Sequence, residues 1–419
     1  MFQTVKGTYD ILPGLFKKRL EIKNHFMNIC NNYGYEFMET PVFEFAGVFN
    51  KENDTSDMVT KEMYTFSTND KDLFTLRPEG TAGIIRSVVQ NKLYGSCELP
   101  IKLGYIEEMF RHERPQKGRQ RQFTQLGLEC IGNKTPLIDA EVISLAYKFL
   151  KNEGLKNIKV LINTLGDNKS RIDYGNALKE YFSKYESELC EDCKKRLYKN
   201  PLRILDCKID ADKDFIKNAP SIDKFLNKES LDYFNNVLSY LKTLNIPYEI
   251  DNKLVRGLDY YTDTVFEIVT VENNERSLTV LAGGRYDNLV EELGGPSLSG
   301  IGFSCGLERL SILKGEDSND IDKNVDFYLI DMSKSSAYAF EIAEKIRDKG
   351  FSLEMNFYDR SMKSQFKSSD RFKAKYIVIV GEDEVNSKTL NIKNVSKQEQ
   401  TTIKYDELEK YLNSLFGGK

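Results

Sequence analysis

Residues 109–123 read Met-Phe-Arg-His-Glu-Arg-Pro-Gln-Lys-Gly-Arg-Gln-Arg-Gln-Phe, which crowds Arg111, Arg114, Lys117, Arg119 and Arg121 into one loop between two strand-like stretches. Guanidinium forks pair bidentately with phosphate oxygens, and Phe123 at the start of the return strand offers a flat face on which a base can stack. Such a loop suits a polyphosphate nucleotide, although charge content alone favours a solvated basic hairpin. A second block, Gly300-Ile-Gly-Phe-Ser-Cys-Gly-Leu-Glu-Arg-Leu310, reads as a glycine-punctuated strand passing into a helix that carries Arg309. Glycines let backbone approach a ligand closely, and they serve ordinary tight packing equally well. Two more blocks join these: Arg256-Gly-Leu-Asp-Tyr-Tyr261 and Ala282-Gly-Gly-Arg-Tyr-Asp287.

Other chemistries are poorly supplied. His25 and His112 are the only histidines, so a histidine-rich metal site has little material and a Ser-His-Asp arrangement has two possible bases. His25 is expected to be packing or surface, and His112 to assist locally at most. Seven scattered cysteines in 419 residues argue for reduced thiols rather than a disulfide framework. Cys190-Glu-Asp-Cys193 with Cys207 downstream is the one metal-like spacing; a fourth ligand of the usual kind is missing nearby, so packed or solvent-facing thiols on a helical segment are expected, and no metal.

Lys+Arg 60 against Asp+Glu 64 gives a net charge of −4, so any polyanion must be met by a local patch rather than by the chain as a whole. Hydrophobic residues at 40% and charged residues at 30% are ordinary globular composition. No apolar run approaches the ~20 residues of a membrane helix, and the N-terminus lacks a basic region followed by an apolar stretch, so a cytoplasmic protein with no membrane partner is expected.

The elements that must position these blocks follow from periodicity. Residues 15–34 predict a long amphipathic helix, followed by an extended segment broken at Pro41. Strand patterns recur at 63–67, 72–76, 101–110 and 121–129, with a helix at 81–91, and a hairpin is predicted from 265–271 and 278–282 across the polar turn 272–277. Strands outnumber simple βαβ alternation, which favours an α+β domain: an antiparallel sheet with flanking helices. Between about 164 and 248 the texture becomes Lys/Glu-rich and helical, as in 177–185 and 230–244, and reads as a helical insertion. Beyond Lys323 an alternation of strand and helix predicts a separate α/β domain with a mixed sheet, 324–419 after a first domain of 1–323.

Taken together with Leu76-Arg-Pro-Glu-Gly-Thr81, the four blocks resemble the catalytic domain of class II aminoacyl-tRNA synthetases, and Arg256-Gly-Leu-Asp-Tyr-Tyr261 is similar to the signature of the histidyl-tRNA synthetase family. The resemblance begins at Lys6-Gly-Thr-Tyr-Asp-Ile-Leu-Pro-Gly14, passes the family's first motif around Pro41, and ends in a region similar to its anticodon-binding domain. It implies ATP-dependent activation of L-histidine and transfer to tRNA(His) in protein synthesis, with Mg²⁺ on the outer phosphates and a homodimer joined near Pro41. Glu79, Gly80, Thr81 and Gln125 match positions around the amino group and backbone of the bound histidine, and Glu129 with Tyr261, next to Tyr260, the groups that read its imidazole. Arg111 matches the α-phosphate contact, Arg119 and Arg121 neighbouring basic positions, Phe123 the adenine-stacking ring, and Arg309 the γ-phosphate contact. Arg256 matches a family arginine that reaches the α-phosphate, so Arg256 and Arg111 are the expected catalytic residues. In the last domain Arg360, Lys363 and Lys367 are the expected tRNA contacts, in a run that also holds Arg371, Lys373 and Lys375.

A non-catalytic relative, the histidine-sensing regulatory subunit of ATP phosphoribosyltransferase, shares the catalytic fold, but it typically lacks the C-terminal domain and the arginines of the ATP site that are kept here. A synthetase for glycine, threonine or proline has a similar last domain, and the 256–261 block argues against it.

Overall fold

A computed structural model describes residues 2–50, 56, 58–68, 72–272, 275–315, 323–333, 336–357 and 360–416. The chain divides into two units, Met1–Asn319 and Asp320–Lys419. The first is built on an eight-stranded sheet whose order across the sheet is Glu36–Phe37, Ile101–Phe110, Gln122–Ile131, Gly300–Gly306, Glu275–Tyr286, Thr262–Glu272, Ile158–Thr164 and Tyr248–Ile250. The six central strands are antiparallel to their neighbours, and only the two short outer strands pair in parallel. An antiparallel sheet with flanking helices was the expected class, and it is the class observed. The expected hairpin is the Thr262–Glu272 and Glu275–Tyr286 pair; its turn residues 273–274 lie outside the described residues.

Helices cover the sheet because their apolar stripes have a face to bury. In the Pro13–Asn32 helix, Pro13 occupies the first turn, where its missing N–H costs no hydrogen bond, and Leu15, Arg19, Ile22, Phe26 and Ile29 recur at three- and four-residue spacing on the buried side. Thr135 caps the Pro136–Asn152 helix by accepting from the Ile138 N–H at 3.3 Å. That helix is tied to the sheet by a pair withdrawn from water: Arg285 donates from Nε to both oxygens of Asp139, at 3.1 and 3.3 Å, and neither side chain is exposed. Removing one partner of such a pair leaves an uncompensated buried charge. Arg285, in one of the glycine-rich blocks, is therefore a fastening for the fold.

The stretch from about 164 to 248, expected as one helical insertion, packs into two cores. Tyr174, Leu178, Phe182, Cys193, Leu197 and Ile216 share a core with Val265 and Val269 of the sheet. Phe234, Val237 and Leu241 of the Lys228–Thr243 helix join the main core with Phe149 and Ile158, packed against the Pro136–Asn152 helix. The difference arises because Lys/Glu richness reports exposed faces and is silent about which core the buried face enters.

A three-stranded sheet, Phe43–Phe45, Leu73–Leu76 and Thr65–Ser67, carries the region after Pro41. Arg77 anchors that region: its guanidinium donates to the Thr40 and Glu108 carbonyls and pairs with buried Glu107 at 2.9 Å.

The second unit has a five-stranded sheet in the order Leu353–Met355, Phe327–Asp331, Tyr376–Val380, Thr389–Asn394 and Glu399–Lys404. The first three are parallel and the last two antiparallel, the mixed sheet expected. Residues 316–322, ahead of the expected boundary, lie outside the described residues. No helix among the described residues is long and apolar enough to cross a membrane.

Candidate active site

Side chains alternate between the faces of a strand, so on Gln122–Ile131 the residues Phe123, Gln125, Gly127 and Glu129 share one face while Leu126, Leu128 and Cys130 enter the main core on the other. Neighbouring strands bring small residues to that face. Gly302 lies opposite Glu129, Ser304 opposite Gly127 and Gly306 opposite Gln125; one strand further, Gly284 pairs with Gly302 and Ala282 with Ser304. Small residues line this face from Glu129 to Phe123, a trough whose Glu129 end is filled by the side chains of Glu129, Tyr105 and Tyr261 and whose Phe123 end is open. A Cβ at Gly302 would sit 1.9 Å from the Glu129 carboxylate and 2.4 Å from the Leu128 carbonyl, so only glycine fits there.

At the Glu129 end the polar groups are buried and already satisfied. One carboxylate oxygen of Glu129 accepts from the Thr81 hydroxyl at 2.7 Å and the other from the Tyr286 hydroxyl at 2.6 Å. Burial pushes this carboxyl up to about 8, against the lowering effect of the two hydroxyls. Glu79 caps the Thr81–Gln90 helix, accepting from the backbone N–H groups of Thr81 at 2.6 Å and Ala82 at 2.8 Å, and burial raises its carboxyl as well. Gly80 and Gly127 make room for the Tyr105 ring, which would lie 2.3 and 2.2 Å from a Cβ at those positions. Tyr260 and Tyr261 close the end, with ring centroids 4.7 Å apart and Tyr260 edge-on to Tyr286.

Toward Phe123 the trough opens into a cavity of about 410 Å³. Its walls carry Arg111, Arg119 and Phe123 from one side, Arg256, Glu267 and Arg309 from another, and Gln125 where it meets the buried end. The Arg111 guanidinium lies 5.3 Å from the centre of the Phe123 ring and donates from Nε to the Pro78 carbonyl at 2.7 Å. Arg256 pairs with Glu267 at 2.8 Å, and Glu267 also accepts from the Thr279 hydroxyl. Arg119 pairs with Glu113 at 3.3 Å, and Arg309 donates to the Thr279 carbonyl. Four guanidinium groups thus converge on one open space, each held by an oxygen that a phosphate could replace.

Of the expected site residues, Glu79, Gly80, Thr81, Glu129, Tyr260 and Tyr261 gather at the buried end, and Arg111, Arg119, Phe123, Arg256 and Arg309 around the cavity. Arg121 is not among the residues of the cavity wall. Its Nε donates to the Glu113 carbonyl at 3.3 Å and its stem packs against Gly7, so it braces the basic loop from behind. His112 is exposed, edge-on to Tyr64, and His25 pairs with buried Glu153 at 2.9 Å; neither is among the residues of the cavity wall. In the second unit Arg360, Lys363 and Lys367 are exposed, and the last two share the outer side of the Met362–Arg371 helix, whose inner side buries Gln365 and Ser369.

The sequence covers the histidyl-tRNA synthetase family over residues 7–310 and an anticodon binding domain family over residues 326–415. The chain belongs to the histidyl-tRNA synthetase family. It is 46% identical over 415 residues to a histidine–tRNA ligase of Bacillus cytotoxicus, covering 98% of both chains, and 47% identical over 406 residues to one of Listeria innocua, covering 96% of both. The crystal structure of apo histidyl-tRNA synthetase from S. aureus superposes with a TM-score of 0.83 at 37% identity, over 98% of this chain and 100% of that one.

In this synthetase several supporting residues carry no motif signal. Arg171 of the Asn168–Ser183 helix donates to the Tyr261 and Asp259 carbonyls, at 2.9 and 2.8 Å, and Arg203 donates to the Gly257 carbonyl at 2.8 Å. The helical stretch therefore holds the 256–261 loop in place. Tyr286 sits inside a quoted block, yet its bond to Glu129 spans 157 residues and no local pattern announces it. The cysteine cluster has a fourth member that is neither cysteine nor histidine: Asp210, three residues beyond Cys207.

Proposed function

We propose that this synthetase activates L-histidine with ATP and transfers it to the 3′ end of tRNA(His), with histidine at the Glu129 end of the trough and ATP in the cavity. The continuity of Phe123, Gln125 and Glu129 along one strand face carries the reading, since it sets a nucleotide site and a polar amino-acid site end to end. The histidine carboxylate attacks the α-phosphorus of ATP, the bond to the β-phosphate oxygen breaks and pyrophosphate leaves. A ribose hydroxyl of the tRNA then attacks the acyl carbon and AMP leaves. No protein nucleophile is required, in keeping with a site rich in arginine and poor in histidine.

Glu129 and Tyr261 read the imidazole; Glu79, Thr81 and Gln125, with Gly80 beside them, hold the amino acid backbone; and Tyr260 walls the pocket. Arg111 and Arg256 carry the α-phosphate, where negative charge builds during attack, Arg119 and Arg309 the outer phosphates, and Phe123 the adenine once Arg111 turns to phosphate. Arg121 keeps only the bracing role. Glu113 and Asp206, both on the cavity wall, offer the one or two carboxylates that Mg²⁺ takes alongside phosphate oxygens, and the ion would neutralise charge on the leaving pyrophosphate.

The second unit would meet tRNA through Arg360, Lys363 and Lys367. A homodimer is supported by Phe43, Phe45 and Phe66, 55%, 57% and 41% exposed on the small sheet after Pro41, an apolar patch that a second copy would cover about a two-fold axis. The cytoplasm is the compartment that protein synthesis implies. ATP–pyrophosphate exchange with each amino acid in turn is the test: exchange with histidine alone is expected, whereas equal exchange with glycine or threonine, or none at all, overturns the assignment.

A further inference from the structure

Away from the trough, Cys190, Cys193, Cys207 and Asp210 bring one ligand atom each to a common point, all within 4.8 Å of one another. Cys190 caps the Glu191–Lys199 helix and Cys193 lies in its first turn; Cys207 follows the short turn Pro201–Ile204, and Asp210 comes three residues later. The Cys190 and Cys207 sulfurs are 3.7 Å apart, and Cys207 Sγ is 3.8 Å from Asp210 Oδ2. Tetrahedral zinc with Zn–S near ~2.3 Å places its sulfurs about 3.8 Å apart. A disulfide needs roughly 2.05 Å, and all seven cysteines are unbridged.

We propose that Cys190, Cys193, Cys207 and Asp210 form a structural Zn²⁺ site that clamps the helical stretch onto the catalytic cavity. Zinc displaces the three thiol protons and takes three thiolates and one carboxylate, the closed four-coordinate set of a structural site. The surroundings suit it. Asp210 and Cys193 are fully buried, Cys207 nearly so and Cys190 in part, so the set is largely shielded from solvent. Zinc cancels two of the four negative ligand charges, and Lys213, 2.8 Å from Asp210 Oδ1, lies against the remainder. Asp210 Oδ2 also accepts from the Cys190 N–H at 3.0 Å, a ligand-orienting bond of the kind that surrounds metal sites. The clamp has a target: Asp206 and Lys208, on either side of Cys207, both lie on the cavity wall, and Asn200 and Arg203 just before them hold Asp259 and Gly257.

The full chain, purified without a polyhistidine tag or chelators and dialysed against Zn²⁺-free buffer, is assayed for metal by mass spectrometry. About one zinc per chain is expected, falling to near zero in Cys193→Ser and in Cys207→Ser and kept in Cys97→Ser, which alters an exposed thiol elsewhere. Replacing zinc by Co²⁺ in the unmutated chain should give thiolate-to-cobalt charge-transfer absorption and the intense visible bands of tetrahedral cobalt, a readout independent of how the variants fold. A chain that holds no zinc after reconstitution and shows seven reactive thiols, a Cys190–Cys207 disulfide by peptide mass spectrometry, or zinc retained in both serine variants would each overturn the site.

Discussion

The two ends of the trough handle charge in opposite ways. At the Glu129 end, proposed to take histidine, the carboxyl groups of Glu79 and Glu129 are buried and satisfied by neutral donors, backbone N–H groups for one and hydroxyls for the other. At the Phe123 end, proposed to take the nucleotide, the cavity is open and its guanidinium groups are paired with anions or carbonyls that a ligand can displace, as in Arg256 with Glu267. A buried polar pocket tolerates only a ligand that replaces every bond it disturbs, because an unpaired buried group costs far more than a bond gains. Charges facing open space tolerate many partners and act on whatever charge develops among them. The proposed function then assigns specificity to the first end and rate to the second.

The largest effect expected is on rate. Arg256→Ala should lower single-turnover adenylate formation by roughly 10²–10³ while ATP and histidine binding change little, with Arg256→Lys only partly restored because an ammonium lacks the planar fork. An unchanged rate constant in Arg256→Ala would erase the contrast. At the other end Glu129→Ala should leave the buried imidazole without its hydrogen-bond partner, a loss of roughly 1.5–3 kcal/mol that raises the histidine KM about 10- to 100-fold and leaves the ATP KM near its starting value. A parallel loss for both substrates in exchange assays would mean that the pocket is not separable from the cavity.

A smaller effect is visible in stability. Burial holds the Glu129 carboxyl at about 8 in the folded chain against an ordinary 4.5, so between those values the folded state keeps a proton that the unfolded chain has released. The associated stability is fully present below about pH 4.5 and is lost as pH rises through about 8. Glu129→Gln keeps both hydroxyl contacts and carries no ionisable group, so in urea titrations it should gain on the wild type steadily from pH 5 to pH 8. A difference independent of pH would show that Glu129 is ionised in the fold. The least effect on either end is expected from Lys363→Glu, Lys367→Glu and Lys373→Glu combined: exchange should be nearly intact, while tRNA charging weakens and loses part of its salt dependence. If exchange fell in parallel with charging, the Met362–Arg371 helix would be structural.

Much of this was legible because local periodicity carries it. The Ile101–Phe110 strand has the bounds its pattern predicts, and the Pro13–Asn32 helix lies within two residues of its predicted range at each end. Alternation alone also puts Phe123, Gln125 and Glu129 on one face, and the loop arginines needed only their charge to suggest phosphate. Where the reading fell short, the deciding partner was distant in sequence. Arg121 is charged like its neighbours, and no loop pattern records its bond to the Glu113 carbonyl or its packing against Gly7. The 164–248 stretch showed its exposed residues plainly and concealed that its buried ones enter two cores.

The sequence by itself therefore determined many of the elements, the face that alternation gives a strand residue and the side-chain types gathered at the two ends, since these depend on spacing and residue type within a few positions. Tertiary structure alone decided that Tyr286 would hold Glu129, that Arg285 would be spent on Asp139, that helix-borne Arg171 and Arg203 would hold the 256–261 loop, and that Asp210 would meet three cysteines. Those contacts are made when separate faces are buried against one another, and a one-dimensional pattern records which face is apolar without recording what it will meet.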